Sequence, residues 1–161
     1  MAKKLIFQPM DEGPPPSSSE TTFLSLSGLK VLAFGSIGLI VLAALLPWIE
    51  VQFIGTVSQT GLEQGYGIVT IILSILVATQ LNINLAKEAV ATEHDRRIAV
   101  GIGAAGALIV GVAGYAALEI NARIGTLQYG IGHIGIGVWL TVLGGLGLVV
   151  TGLGFLGQIR R

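Results

Sequence analysis

Cysteine is missing from this chain of 161 residues, and charged residues are scarce. The absence of cysteine excludes disulfide bonds, thiolate nucleophiles and cysteine metal sites. Charged residues make up 11% of the chain, whereas soluble domains carry about 25%. Nine basic residues balance nine acidic residues, so no excess of positive charge favours a nucleic acid as partner. With 52% hydrophobic residues, the composition predicts a protein whose solvent is the lipid bilayer.

Four long uncharged runs lie between the charged residues of the chain. Each run holds about 20 residues, the length of helix that crosses a bilayer core of about 30 Å. Because backbone groups inside lipid must be satisfied within the segment, the runs are predicted to be helices. We therefore expect an all-α membrane protein, a bundle of four transmembrane helices within residues 29–159. The predicted spans are about 31–49, 65–86, 98–118 and 136–156.

Residues 1–28 precede the first span and differ from it in composition. Pro14, Pro15 and Pro16 favour an extended polyproline II backbone, and the serines that follow add flexibility. A segment of this composition buries too little surface to fold alone. The sequence leaves two interpretations open: a disordered cytoplasmic tail, or an arm that docks on a partner protein.

The basic residues are distributed unevenly along the chain. Eight of the nine lie before span one, between spans two and three, or after span four; they are Lys3, Lys4, Lys30, Lys87, Arg96, Arg97, Arg160 and Arg161. Basic residues accumulate on the cytoplasmic side of membrane proteins, so both termini are predicted to be cytoplasmic, or to face a virion interior. The exception, Arg123, lies four residues after Glu119 and is predicted to form an ion pair with it on one helical face.

Glycine accounts for 24 residues and is concentrated in the predicted spans. Helices in lipid associate through close backbone approach at small residues, because little hydrophobic gain is available to them. Span three carries small residues at four-residue intervals, and span four carries two such faces. The predicted helix-packing residues are Gly103, Ala107, Gly111, Thr141, Gly145, Gly147 and Thr151. The alternative use of these faces is self-association, or docking on another membrane subunit.

The outer ends of the spans carry two loops and two tryptophans. Residues 51–58 alternate partly between apolar and polar, which predicts a short hairpin over the mouth of the bundle. The glycine-rich residues 129–135 are expected to form a second outer loop. Trp48 and Trp139 are predicted to anchor the chain in the membrane interface, where indole rings are enriched.

The sequence predicts no catalytic, cofactor or metal site. No span carries a charge at mid-depth, which argues against a proton relay, a voltage sensor or an ion-coupled carrier built from one chain. Residues 101–106 match the letters of a dinucleotide-binding pattern, but they lie inside an apolar span and follow no predicted strand. An enzyme would require four outer residues to converge, namely Glu50, Glu63, Glu119 and His133.

Short motifs near the span ends are similar to those of other small membrane proteins. They are Leu46-Pro47-Trp48, Gly61-Leu62, Gly65-Tyr66-Gly67 and the glycine-rich residues 135–145. On these motifs, residues 29–158 resemble small four-span proteins of haloarchaea and some bacteria. They are also similar to claudin-like tetraspans, whose paired loop cysteines are missing here. The resemblance implies a tetraspan fold with an outer loop after the Pro-Trp pair, and it implies no activity.

Together these features favour a non-enzymatic subunit or scaffold of a larger membrane assembly, either a cellular complex or a virion membrane. The expected partners are the lipid bilayer and other membrane or peripheral subunits, further copies of this chain included. No cofactor and no nucleic acid are expected. The alternative is an oligomeric channel or small-solute conduit, lined by glycine carbonyls or small side chains.

Overall fold

The computed structural model describes residues 26–52, 56–85, 93–125 and 131–159. The elements in chain order are α1 (Leu26–Leu45), β1 (Pro47–Gln52), β2 (Thr56–Thr60), α2 (Tyr66–Leu85), α3 (Glu93–Gly125), β3 (Ile131–Ile134) and α4 (Ile136–Ile159). The predicted tail lies almost entirely outside the described residues, as do Lys87, Arg160 and Arg161.

Most of the described chain is helical, as the sequence predicts. Three helical stretches are long and apolar enough to cross a membrane: Ser27–Leu45, Arg96–Gly125 and Ile136–Gln158, with mean hydropathies of 2.2, 2.0 and 2.0. A fourth, shorter apolar stretch is Tyr66–Asn82 in α2. These lengths and compositions are consistent with an integral membrane protein.

The all-α prediction is wrong in one respect, because the structure contains a small antiparallel sheet of order β2-β1-β3. Strands β1 and β2 form the hairpin predicted for the first outer loop, with Val51 opposite Val57. Strand β3 comes from the glycine-rich segment for which a loop is predicted. It pairs with β1, so that Glu50 lies opposite His133. The two outer connections are therefore joined into one sheet.

At the sheet-covered end, α1 ends earlier and α3 ends later than the predicted spans do. Span one is predicted to run to residue 49, but α1 ends at Leu45 and Pro47 begins β1. Proline lacks the amide hydrogen that a continuing helix requires. Span three is predicted to end at residue 118, but α3 continues to Gly125. At 1.5 Å per residue, this extension carries the helix about 10 Å further.

The four helices form a ring in which each packs against its sequence neighbours and α4 closes on α1. The most extensive pairing is between α3 and α4. One apolar core lies among the helices and consists of Ala33, Ile40, Val77, Leu81, Ile102, Ile109 and Leu148. A second lies beneath the sheet and consists of Trp48, Ile49, Ala113, Ala116, Ile120 and Val138. The sheet is thus packed onto the bundle as a cap.

Candidate functional site

Trp48 is the centre of the sheet-covered end. Its side chain is 0% exposed, and its indole N–H donates to the Ala43 carbonyl at 2.9 Å. The ring stacks on Tyr66, with centroids 6.4 Å apart and planes 8° from parallel. The register between β1 and β2 shifts between Pro47 and Ile49, which places Trp48 at an irregularity of the ladder. The tryptophan thereby links α1, the sheet and the start of α2.

Glycines provide the space that the indole ring occupies. A Cβ added at Gly61 would lie 2.5 Å from the indole nitrogen, and one at Gly137 would also overlap the ring. Gly135 donates its backbone N–H to the Trp48 carbonyl at 2.8 Å. The motif residues Gly61, Gly135 and Gly137 therefore converge on Trp48, the first and last at its ring and Gly135 at its backbone.

The two tryptophans have opposite environments. An interface anchor must reach the lipid headgroups, and the fully buried Trp48 has no exposed surface with which to do so. Pro47, predicted to lie at the end of a span, is the first residue of strand β1. The Trp48 indole lies in the core beneath that strand. Trp139 near the start of α4 is 58% exposed, which leaves its ring accessible at the helix surface.

Glu119 links α3 to α2 at the same end of the bundle. Its carboxylate accepts hydrogen bonds from the Tyr66 hydroxyl and from the Arg123 guanidinium. The structure thus places the predicted partners Glu119 and Arg123 in contact and adds Tyr66, for which no such contact is predicted. Tyr115 packs edge-on against Tyr66 at 6.1 Å between centroids and is itself 62% exposed. Two aromatic rings and an ion pair therefore line the outer part of α3.

The remaining outer carboxylates have separate partners. Glu50 contacts His133 across the sheet, with 2.8 Å between the Glu50 Oε2 and His133 Nε2 atoms. Glu63 accepts the Thr60 backbone N–H at 2.8 Å. Within the described part of the chain, no three histidine, aspartate or glutamate side chains are grouped so that they could hold a metal ion. Of the four residues named for the enzyme hypothesis, Glu50 and His133 are in contact, and Glu63 and Glu119 have other hydrogen-bond partners.

A small groove separates the hairpin from the C-terminal end of α3. Its volume is about 190 Å³, and it is lined by Ile49, Val51, Val57, Gln59, Ile120, Arg123 and Ile124. Gln59 and Arg123 are its polar lining residues. A cavity of about 150 Å³ holds a benzene ring, so the groove has the size of one aromatic or branched side chain.

The seam between α3 and α4 is built from glycines, two of which are not among the predicted packing residues. A Cβ at Gly106 would lie 2.7 Å from the Gly145 carbonyl oxygen, and one at Gly152 would lie 2.6 Å from the Gly103 amide nitrogen. Both contacts are to backbone, so no side-chain rotation can relieve them. Gly103 and Gly145 of the predicted set are therefore in this seam, together with Gly106 and Gly152.

Of the packing residues predicted on α3, only the first, Gly103, lies in the seam with α4. Ala107 and Gly111 are exposed, and nothing lies within 4 Å of a Cβ added at Gly111. The buried side of α3 instead includes Ile102, Gly106 and Ile109. These positions are spaced four and three residues apart, as residues on one helix face are. Because a turn has 3.6 residues, positions spaced strictly four apart rotate progressively away from that face.

The predicted residues of α4 contact more than one neighbour. Gly147 approaches the Ser36 side chain of α1, so this position belongs to a second seam. Thr141 and Thr151 are fully buried. Their hydroxyls donate to backbone carbonyls of their own helix, those of Gly137 and Gly147, at 2.8 Å in each case. The threonine hydroxyls are thus hydrogen-bonded within α4, and their burial requires no polar group from another helix.

Comparison of the chain with protein-family models, with curated proteins and with solved structures finds no match.

Proposed function

We propose that this protein is a non-enzymatic, multi-pass membrane protein that serves as a subunit or scaffold of a larger membrane assembly. It crosses the bilayer four times and presents the sheet on the non-cytoplasmic side. The observation that carries the proposal is the apolar outer surface of all four helices.

That apolar surface includes side chains of all four helices. Large side chains on every helix are exposed, among them Val31 at 73%, Ile72 at 53%, Leu118 at 72% and Leu153 at 62%. Soluble monomers rarely expose contiguous apolar patches above a few hundred Å². A surface of this kind, on helices of membrane length, is suited to lipid acyl chains and to other apolar helices.

The fourth crossing is assigned to α2. Its 20 residues correspond to about 30 Å of helix, enough for one hydrocarbon core. The exposed side of its first part is apolar, with Ile68, Ile75 and Leu76 at least half exposed. Because α2 packs between α1 and α3, it would have to separate from both helices if only α1, α3 and α4 crossed the membrane.

The orientation follows from where the charges lie. Lys30 is in the second turn of α1, and Arg96 and Arg97 are within the first two turns of α3. Arg123 is near the opposite end of α3, beside the sheet. The positive-inside rule therefore favours a cytoplasmic location for the end with Lys30, Arg96 and Arg97.

A structural role fits the interior of the bundle better than a solute path through one chain does. Glycine backbones close the α3–α4 seam, and buried hydroxyls are bonded to their own helices. In the conduit alternative, bulky residues at Gly145 or Gly147 would be expected to block the pore. In the structure, Gly145 packs against α3 and Gly147 packs against α1. Substitutions there would disturb helix packing, so they do not report on conduction.

Single-cysteine labelling tests the topology, since the chain has no native cysteine. Ser58→Cys lies on β2, and Ser17→Cys and Thr92→Cys lie on the segments assigned to the cytoplasm. In sealed cells, a membrane-impermeant maleimide should label Ser58→Cys, and the other two variants only after permeabilisation. Labelling of Ser17→Cys or Thr92→Cys in intact cells would refute the orientation.

Mass spectrometry of the intact complex after gentle detergent extraction tests the subunit role. The chain should be recovered at a mass above that of one copy. Deletion of residues 1–20, part of the N-terminal arm, should release a partner bound through that arm, and the protein should still insert in the membrane. Recovery only as a monomer would refute the subunit role, whereas recovery only as copies of this chain, together with solute flux in liposomes, would favour the conduit alternative.

A further inference from the structure

The outer end of α3 carries an exposed surface whose charges and depth suit one kind of ligand. Gly111, Tyr115, Glu119 and Arg123 follow one another at intervals of about one helical turn. We propose that this surface, with Tyr66 behind it, binds the headgroup of a zwitterionic phospholipid that carries a primary ammonium, as phosphatidylethanolamine does. The inference rests on the proposed insertion of α3 in the bilayer.

The depth of these residues matches the layer in which headgroups lie. About 20 residues of helix cross the hydrocarbon core, so a crossing that begins after Arg97 ends near residue 117. Tyr115 then lies at the edge of the hydrocarbon, and Glu119 and Arg123 lie within roughly 10 Å beyond it. This is the level at which ammonium and phosphate groups of lipids are found.

The charges at this level form a pair of opposite sign, as the proposed headgroup does. The side chains of Arg123 and Glu119 are 62% and 29% exposed, so both can be reached from outside the bundle. An ammonium with N–H donors can bond to the Glu119 carboxylate, and a phosphate can bond to the Arg123 guanidinium. A choline headgroup has no N–H to donate, and a purely anionic headgroup would be repelled by Glu119.

The surface is held in place before any ligand binds. The Tyr66 hydroxyl bonds to one Glu119 oxygen and Arg123 to the other, while a carboxylate has about four lone-pair sites. Further acceptor capacity on Glu119 therefore remains. Tyr66 is itself stacked on the buried Trp48. The exposed Tyr115 ring adds a face on which an ammonium can rest, and open space at Gly111 below it leaves room for an acyl chain.

Native mass spectrometry of the full chain in mild detergent tests the assignment. Phosphatidylethanolamine, phosphatidylcholine and phosphatidylglycerol of identical acyl chains are added at equal concentration, and the lipid-bound fractions are compared. We expect the ethanolamine lipid to bind about twofold to fivefold more than either competitor, the range that one solvent-exposed ion pair supports. Equal binding of the three lipids would overturn the proposal.

Two variants separate the two halves of the headgroup. Glu119→Gln should equalise the ethanolamine and choline lipids, and Arg123→Gln should weaken both alike, because the phosphate is common to them. Glu50→Gln changes another carboxylate at the same end and should leave the preference intact. An ethanolamine preference that survives Glu119→Gln would contradict the site. Undiminished binding of both lipids to Arg123→Gln would also contradict it, and this second variant keeps the test available if Glu119→Gln fails to fold.

Two further measurements separate the sources of failure. Glycerophosphoethanolamine, which has the headgroup without acyl chains, should not displace the lipid at equal concentration; displacement would show a soluble phosphodiester site instead. Carbonate extraction of membranes reports on insertion itself. A protein that resists extraction and shows no headgroup preference refutes this inference alone, whereas a protein that carbonate removes refutes the proposed function as well.

Discussion

Replacing Gly106 by alanine should destabilise the bundle, although alanine is the better helix former. A methyl group at this position would lie 2.7 Å from the Gly145 carbonyl oxygen and 2.8 Å from the Val149 amide nitrogen. Because the obstacles are backbone atoms of α4, α3 and α4 must move apart. Overpacking of this kind costs about 1–3 kcal/mol, and a few neighbouring contacts in the seam are weakened with it.

Gly111→Ala is the matched control, since it makes the same chemical change in the same helix. Nothing lies within 4 Å of a Cβ at that position, so the substitution should only remove the conformational cost of glycine. That cost is about 1 kcal/mol in water, and we expect Gly111→Ala to be neutral or stabilising by up to about this amount. For Gly106→Ala the same gain offsets part of the clash, so a net loss of up to about 2 kcal/mol is expected.

The measurement is a titration of the detergent-solubilised protein with sodium dodecyl sulfate, followed by far-ultraviolet circular dichroism. The two variants should differ by about 2 kcal/mol in the free energy of unfolding. If Gly111→Ala were the destabilising change and Gly106→Ala the neutral one, the packing face would be the stripe that four-residue spacing predicts. The seam described here would then be incorrect.

Trp48→Ala removes a fully buried indole and should lower the free energy of unfolding by about 3–5 kcal/mol. Trp139→Ala should change the free energy of unfolding by less than about 0.5 kcal/mol. The same titration compares the two variants, and equal losses would contradict the burial of Trp48. In Trp139→Phe only Trp48 emits, so acrylamide should quench the fluorescence much less than in the wild type, and unreduced quenching would place Trp48 at the surface. His133→Gln removes a solvent-exposed contact with Glu50 and should cost less than about 1 kcal/mol. A larger loss in the titration would mean that β3 pairing depends on this contact.

The helices are largely predictable because hydropathy and length are local properties. Residues 65–86 and 136–156 are predicted as spans, and the structure has helices at Tyr66–Leu85 and Ile136–Ile159. The alternating residues 51–58 likewise predict a hairpin, and β1 and β2 form one. Each of these assignments needs only the residues within the segment itself.

The candidate site at the outer end is only partly predictable. The four-residue spacing of Glu119 and Arg123 suffices to suggest their contact. Tyr66 reaches the same carboxylate from a position 53 residues earlier, and a single tyrosine at the start of an apolar run carries no sign of this. The three residues share a site only because α2 and α3 are neighbours in the ring.

The sequence by itself determined that the chain forms apolar helices of membrane length, joined by short connections, with its charges gathered at their ends. Only the tertiary structure decided that β3 pairs with β1, that the tryptophan after Leu46 and Pro47 lies in the core, and that α3 meets α4 through Gly106. The physical reason is that the rotation of a helix about its axis and the pairing of a short strand are set by contacts between segments distant in sequence. A run of glycine and apolar residues offers several faces of nearly equal hydrophobicity, so its pattern does not select among them.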